Sequence, residues 1–185
     1  ISSLGSMVFI KKLTASGSAT LSFVDGTDGV VLDDTYKEYV FTFNNIHPSV
    51  RTGFTFNMST DSGSNYNVTK TTTFFRAYHS ESGDSILGYA SSFDLAQSTA
   101  FQLISGDNLS NDNDSGMSGE LTLFNPSSTT FVKHFISKVN YQGDDYSINP
   151  YVAGYGNTTS AVDAIQFKMS TGNIDAGDIC LYGIA

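Results

Sequence analysis

The sequence contains no tryptophan and a single cysteine, Cys180. One cysteine excludes a disulfide framework within the chain and any metal site built from several cysteines. The three histidines, His47, His79 and His134, are scattered along the chain, and no nucleophile elbow, zinc motif or phosphate-binding loop is present. The sequence therefore offers no recognisable catalytic set. We predict a protein that is not an enzyme and needs no cofactor.

Charge is also scarce, because Asp, Glu, Lys and Arg make up only 15% of the residues, against about 25% in typical soluble domains. Nine basic and 18 acidic residues give a net charge of −9. This excess of negative charge repels nucleic-acid phosphates, so we expect no nucleic-acid partner. No apolar run approaches the ~18 residues of a membrane span, and we expect no membrane insertion.

Residues that favour strands are plentiful, with 14 Phe and 10 Tyr beside many Thr and Val. They fall into about eleven short alternating segments separated by turn residues, and the one plausible helical turn is at residues 94–97. This pattern predicts an all-β fold, an antiparallel jelly-roll-like β-sandwich, with a single-sheet barrel as the alternative. Residues 7–185 are predicted to form one domain and residues 1–6 a linker. Because the chain begins with Ile1 rather than Met, we expect it to be a piece of a longer protein.

The clearest alternation lies near the end of the chain. Ile165, Phe167 and Met169 alternate with polar residues, which predicts that these three side chains face the core. The strand that follows has no polar face. Its two faces are Ile179, Leu181 and Gly183 on one side and Cys180, Tyr182 and Ile184 on the other. A strand that is apolar on both faces must be covered twice, so we predict that Cys180, Tyr182 and Ile184 meet a neighbouring layer or a second subunit.

Residues 106–119 form the most polar stretch of the chain. Asp107, Asp112 and Asp114 could gather oxygen ligands for a hard cation, since such cations tolerate irregular loops. The spacing fails the EF-hand pattern, because no Glu stands at the twelfth position. These residues are therefore only weak metal candidates, and solvated loop side chains are the simpler interpretation.

A glycan-contact surface is a further hypothesis, because aromatic faces stack on sugars and loop carboxylates and amides bind hydroxyls. Tyrosines that merely cap strand ends are the alternative interpretation. The carboxylates at 144 and 145, with each other or with Glu120 or Glu81, could also form a glycosidase pair, although acidic loop residues are usually just solvated. Residues 142–149 are predicted to be a loop. The candidate contacts are Tyr66, Tyr141, Asp144, Asp145, Tyr146, Asn149 and Tyr151.

Five segments in a fixed order carry a family resemblance. They are FIKKLTASGSATLSF, DDTYKEYVFTFNNIHPS, STDSGSNY, SGELTLFNPSS and NIDAGDICLYGI. From about Met7 to Ala185 the chain resembles a recurrent domain of virion proteins in tailed bacteriophages, especially marine ones. The resemblance implies a structural β domain displayed on the particle, often oligomeric and often preceded by an attachment region. It implies no catalytic residues.

We therefore expect a bacteriophage structural protein at the virion surface, as a tail-fibre or receptor-binding domain or as a capsid decoration or fibre domain. Its expected partners are further copies of the chain in a trimer, other virion proteins and glycans of the host surface. Two alternatives stay open, namely a carbohydrate-binding module of a secreted protein and a depolymerase of surface polysaccharide.

Overall fold

The computed structural model describes residues 6–185, and these form two antiparallel β-sheets packed face to face, without a helix. The predicted all-β antiparallel sandwich is therefore confirmed, with twelve strands instead of about eleven. Of the predicted linker, only Ser6 lies within the described residues. The strands are β1 (Met7–Thr14), β2 (Leu21–Val24), β3 (Glu38–Pro48), β4 (Phe54–Ser59), β5 (Lys70–Ser80), β6 (Ser85–Tyr89), β7 (Gln102–Leu103), β8 (Met117–Phe124), β9 (Lys133–Gly143), β10 (Tyr146–Gly156), β11 (Ala164–Met169) and β12 (Ile174–Ile184).

The larger sheet has eight strands in the order β1-β12-β3-β8-β9-β10-β5-β6, and the smaller has four in the order β2-β11-β4-β7. Two hairpins, β5–β6 and β9–β10, extend the larger sheet beyond β8. The other eight strands divide equally between the sheets. Consecutive members of these eight lie in opposite sheets, except that β4 and β7 are neighbours in the smaller one. Two separate sheets exclude the single-sheet barrel.

Aromatic side chains build the core between the sheets. Phe167 on β11 lies at its centre, with its ring centroid within 6.4 Å of five other phenylalanine centroids. Those five are Phe23, Phe41, Phe43, Phe54 and Phe56. Ile165 and Met169 are buried beside Phe167, so the predicted core side of β11 is confirmed. Each buried side chain of this size stabilises the fold by about 1.5–3 kcal/mol.

The outer face of the smaller sheet is polar and yet buried. Its β4 residues Thr55, Asn57 and Ser59 are at most 3% exposed. The Asn57 side-chain amide donates to the carbonyl oxygens of Tyr66 at 2.7 Å and Thr99 at 2.9 Å. Those carbonyls belong to the loops after β4 and before β7. The chain's own loops thus close this surface, which we name the covered face.

The helical turn predicted at residues 94–97 is wrong, because this segment runs beside β5. The Thr72 N–H donates to the Leu95 carbonyl at 2.9 Å, and the Leu95 N–H donates to the Thr72 hydroxyl at 2.7 Å. Bonds that tie the backbone to a strand replace the i to i+4 bonds of a helix. Within residues 6–185, no helix is long and apolar enough to cross a membrane.

Candidate functional site on the outer face of the larger sheet

The outer face of the larger sheet is apolar and open. Along β9, exposed side chains alternate with buried ones, and the strand registers carry this alternation across the sheet. Of the ten large apolar side chains that are exposed within residues 6–185, seven lie on this surface, which we name the open face. They are Met7, Phe9, Phe75, Leu87, Tyr89, Ile136 and Tyr151. These exposed apolar side chains make the open face the candidate interaction surface of the described residues.

The last strand, β12, divides its side chains between the core and the open face. Ile179 and Leu181 are fully buried in the core. Cys180, Tyr182 and Ile184 lie on the open face and are half-buried. The division into two faces is therefore as expected, and contact of the second set with another layer or subunit stays a prediction.

Strand β1 lies beside β12 and covers it only in part. The Phe9 ring packs edge-on against the Tyr182 ring, with centroids 5.7 Å apart and planes at 71°. Met7 stands opposite Ile184. Because Met7 and Phe9 are themselves at least half exposed, they extend the apolar surface instead of closing it.

Most charged side chains on the open face are paired. Lys138 Nζ lies 3.0 Å from Glu120 Oε1, and Lys12 Nζ lies 3.3 Å from Asp178 Oδ2. Glu38 adds one further negative charge at the end of β3. The central strands of the open face are therefore close to neutral, although the whole chain carries a net charge of −9 and the loops at the β9–β10 end of this face carry further carboxylates.

Three aromatic residues form a row across β10, β5 and β6. Tyr151 is paired with Phe75, and Phe75 is paired with Tyr89. The Tyr151 and Phe75 rings are stacked, with centroids 5.2 Å apart and planes within 4°. Tyr151, a predicted glycan contact, is 39% exposed in this row and is accessible to a ligand.

Next to this row lies a shallow apolar hollow of about 460 Å³. Phe124, Ile136, Ala153 and Tyr155 are among the residues that line it. The hollow exists because a small alanine stands between larger residues on neighbouring strands. Its size and apolar lining fit a hydrophobic side chain from a partner.

The loop predicted at residues 142–149 is wrong, because this segment is a tight hairpin. Gly143 at the end of β9 pairs with Tyr146 at the start of β10. Only Asp144 and Asp145 form the turn, and Asp144 has φ +56°, which Asp tolerates better than most residues. Asp144 forms an ion pair with Arg51, and Asp145 is exposed.

Two predicted glycan contacts point into the protein. Tyr141 is 1% exposed, and its hydroxyl donates to Asn108 Oδ1 at 2.5 Å. Burial raises the pKa of the Tyr141 hydroxyl. Tyr146 is half-buried, with its ring edge-on to Tyr78 and centroids 5.3 Å apart. A sugar cannot reach Tyr141, so its assignment as a contact is wrong, and Tyr146 offers only part of its ring.

Asn149, another predicted glycan contact, has a structural role in β10. It precedes Pro150, which lies between two paired strands and has no N–H to donate. The Asn149 side-chain amide donates instead to the Val139 carbonyl on β9. This bond satisfies the carbonyl that the proline leaves free and uses one of the two N–H donors of the Asn149 amide, so its oxygen and its second N–H remain for a ligand.

Tyr66 is separated from the other candidate contacts. It lies in the loop after β4, where its carbonyl accepts the Asn57 amide on the covered face. The structure therefore does not bring Tyr66 to the open face. Of the seven candidates, Asp144, Asp145 and Tyr151 have exposed side chains; the two aspartates lie at the hairpin turn, and Tyr151 lies further along β10.

Two polar depressions lie side by side at the β9–β10 end of the open face, with Asn140 and Gln142 lining both, and together we name them the polar groove. One, of about 600 Å³, extends to His47 and Asp175, and the other, of about 360 Å³, extends to His79 and the hairpin turn. Amide, carboxylate and hydroxyl groups line this polar groove. The alternation of polar residues on β9 was the signal that could have identified Asn140.

The three weak metal candidates are not gathered into a site. Asp114 lines the polar groove, the Asp112 carbonyl lies 3.1 Å from His47 Nε2, and Asp107 is exposed. Within residues 6–185, no three His, Cys, Asp or Glu side chains come close enough together to hold a metal ion.

Two lysines that the sequence reasoning missed are buried. Lys70 and Lys133 are both 0% exposed. Lys70 Nζ donates to Asn57 Oδ1 at 2.5 Å and to the Val68 carbonyl at 2.7 Å, and burial lowers the pKa of Lys70 to about 7. Lys133 Nζ donates to the Phe131 carbonyl at 2.7 Å, and burial lowers its pKa as well. The alternation of each strand predicts that both side chains point inward. No local sequence signal identifies the oxygen atoms that accept hydrogen bonds from their amines.

Comparison with known proteins finds no family model that matches this chain and no match among curated proteins.

Proposed function

We propose that this chain is a non-enzymatic structural protein of a bacteriophage particle, displayed at the virion surface as a tail-fibre or receptor-binding domain or as a capsid decoration or fibre domain. The observation that carries the proposal is the open face, with seven exposed large apolar side chains on a sheet whose central strands are close to neutral. Monomeric proteins rarely leave such a surface uncovered. A particle protein covers it with neighbouring copies.

The strand order supports this proposal. Outside the two hairpins, four strands in the order β1-β12-β3-β8 pack on four in the order β2-β11-β4-β7. We propose that these eight strands form the predicted jelly roll, an arrangement found in viral capsid and lectin domains. The resemblance of five sequence segments to virion domains of tailed bacteriophages points the same way.

The proposed assembly is a trimer in which Cys180, Tyr182 and Ile184 meet a neighbouring copy. Met7 and Phe9 continue the same apolar surface at the edge of the sheet. Because the central strands of the open face are nearly neutral, contact through them leaves most of the negative charge of each copy pointing away from the interface.

The proposed host contact is a surface glycan bound in the polar groove. Asn140, Asp144 and Asp145 offer oxygen atoms that can accept hydrogen bonds from sugar hydroxyls, and Tyr151 lies further along β10. Among the residues that line the groove there are carboxylates but no Lys or Arg, which favours neutral over acidic glycans. The same groove would serve a carbohydrate-binding module of a secreted protein, which is the second candidate function.

The particle role is tested by mass spectrometry of purified virions. We expect the chain in a fixed copy number per particle. A chain that is absent from purified particles contradicts the proposal. If it is found free in the medium and still binds glycans, the secreted module is favoured instead. Release of reducing sugar ends that is lost in Asp145→Asn would favour the depolymerase.

The glycan contact is tested separately, by titrating neutral and acidic polysaccharides onto the purified chain. Asn140→Ala and Asp145→Ala should each weaken binding of a neutral polysaccharide by roughly tenfold, which corresponds to about 1.4 kcal/mol. Tyr66→Ala is the matched control, because Tyr66 lies away from the open face. Equal binding by all three variants removes the groove from the proposal, and tighter binding of acidic polysaccharides contradicts its charge argument.

A further inference from the structure

The outermost strand of the larger sheet, β6, is paired on one side only. Its partner is β5, in a continuous register of five residue pairs. On its other side no strand of residues 6–185 is paired with it. The edge of the sheet is therefore open along the whole of β6.

The direction of the β6 backbone groups follows from the hydrogen bonds at its two ends. The Asp84 carbonyl and the Ala90 N–H both bond to β5, at 2.8 and 2.9 Å. Residues of an antiparallel edge strand alternate between bonding to the neighbour and pointing outward. Every second residue between these two therefore directs its N–H and C=O to the open edge. These residues are Ser85, Leu87 and Tyr89.

The side chains of β6 are apolar on both faces of the sheet. Ile86 is 50% exposed on one face, and Leu87 and Tyr89 are 74% and 59% exposed on the other. The strand contains no charged residue and no proline. Natural edge strands usually carry charges, prolines or bulges that prevent pairing with another chain.

The opposite edge of the same sheet shows this protection. Strand β1 is interrupted by a bulge between Phe9 and Lys11, and it carries two consecutive lysines, Lys11 and Lys12. Both features hinder the addition of a further strand. The two edges of one sheet therefore differ, and only β6 is an unprotected edge.

We propose that β6 pairs antiparallel with the β6 strand of a second copy of the chain. Leu87 is the central residue of the strand, so the two Leu87 residues would face each other across a two-fold axis. Charge favours this orientation, because the β5–β6 turns that carry Glu81 and Asp84 then lie at opposite ends of the pair, with the two Asp84 residues about 20 Å apart. Parallel pairing would bring these carboxylates together.

This contact lies beyond the proposed particle role and does not depend on it. An antiparallel β6 pair is two-fold, whereas the proposed assembly through β12 is three-fold. The β6 contact would therefore join assembled units to one another and would extend one eight-stranded sheet into the next.

Leu87→Pro tests the pairing with little effect on the fold of one copy. Proline removes an N–H that has no strand partner within residues 6–185, which an edge strand tolerates. Analytical ultracentrifugation of the intact chain over a range of concentrations should show units associating in pairs. The dissociation constant of this pairing should be at least tenfold higher in Leu87→Pro. Leu87→Thr, which keeps the N–H, is the matched control and should associate more tightly than the proline variant. Leu87→Lys is the substitute variant if Leu87→Pro fails to fold. It should also weaken association, because it places two positive charges across the axis.

A cysteine cross-link gives an independent readout. In a Cys180→Ser background, Leu87→Cys should form a covalent dimer under mild oxidation, since facing residues lie within disulfide range. Ile86→Cys is the control and should form far less dimer, because residue 86 faces residue 88 of the other copy. An association that neither Leu87→Pro nor Leu87→Lys changes, or the absence of a Leu87→Cys dimer, overturns the proposal. Mass spectrometry of virions tests the proposed particle role, and the cross-link tests the β6 pairing. Either proposal can therefore fail without the other.

Discussion

The two outer faces of the sandwich are built in opposite ways. The covered face of the smaller sheet carries polar side chains that the chain's own loops bury, as Asn57 shows. The open face of the larger sheet carries apolar side chains that no other part of residues 6–185 buries, as Ile136 shows. A face that the chain closes itself contributes to folding stability. A face that it leaves open is available for assembly, so substitutions should separate the two effects.

The largest effect is expected on the covered face. Asn57→Ala removes the amide that donates hydrogen bonds to two loop carbonyls and the oxygen that accepts a hydrogen bond from Lys70. Each buried group left unsatisfied costs about 1–3 kcal/mol. We expect the free energy of unfolding to fall by about 3 kcal/mol, measured by urea denaturation. The matched control, Asn113→Ala at the polar groove, exchanges an exposed side chain and should change it by less than about 0.5 kcal/mol. Equal losses in both variants would remove the distinction between the faces.

The second effect is a pH dependence from Lys70, which lies behind the covered face. Its pKa is about 7 in the folded chain and about 10.4 when unfolded, so the unfolded state binds more protons between these values. Stability should therefore rise with pH in this window, by about 2 kcal/mol from pH 7 to pH 9. Below about pH 6, where the amine is protonated in both states, this contribution is constant.

Lys70→Met should flatten the rise, because the group that titrates is gone. Lys37→Met, at an exposed lysine, should retain it. Urea denaturation at several pH values measures both variants, and an unchanged slope in Lys70→Met would mean that the amine is hydrated in the folded protein.

The smallest effect on folding is expected on the open face. Ile136→Ser exchanges a side chain that is 48% exposed. The free energy of unfolding of the single chain should therefore change by no more than about 0.5 kcal/mol. The same substitution should weaken self-association at least tenfold, since it places a polar group in the apolar surface. Phe131→Ser, which is 67% exposed but lies before β9 and off the open face, should leave association unchanged. A large loss of stability in Ile136→Ser would show that the open face serves folding.

Local alternation was sufficient to predict the end of the chain. In β11 and β12 every second side chain enters the core, so the period of the sequence gives the direction of Phe167, Leu181 and Tyr182 without further information. The number of strands and the sandwich class follow from the same period repeated along the chain.

The hairpin at Asp144 and Asp145 could not be predicted in the same way. Pro150 argues against an internal strand, because it cannot donate to the ladder. The structure accommodates it through the Asn149 side chain, which bonds to Val139 ten residues away. That compensation depends on the register of β9 against β10, and the sequence does not show a register.

The covered face was also beyond local reasoning. The polar residues Thr55, Asn57 and Ser59 alternate with apolar ones and read as solvent-exposed. Their burial depends on loop carbonyls 9 and 42 residues away from Asn57. Long-range loop placement therefore decides which face of the sandwich stays open.

Light scattering of the purified chain, in a Ser85→Pro background that removes an outward N–H of β6 without changing any of the seven apolar side chains of the open face, tests the central claim most directly. If the open face is an assembly surface, the molar mass of the protein in solution should be three times the 19.9 kDa of one chain. Adding Ile136→Ser should lower this molar mass toward 19.9 kDa. A molar mass of 19.9 kDa at every concentration for the protein that keeps Ile136 would contradict the account.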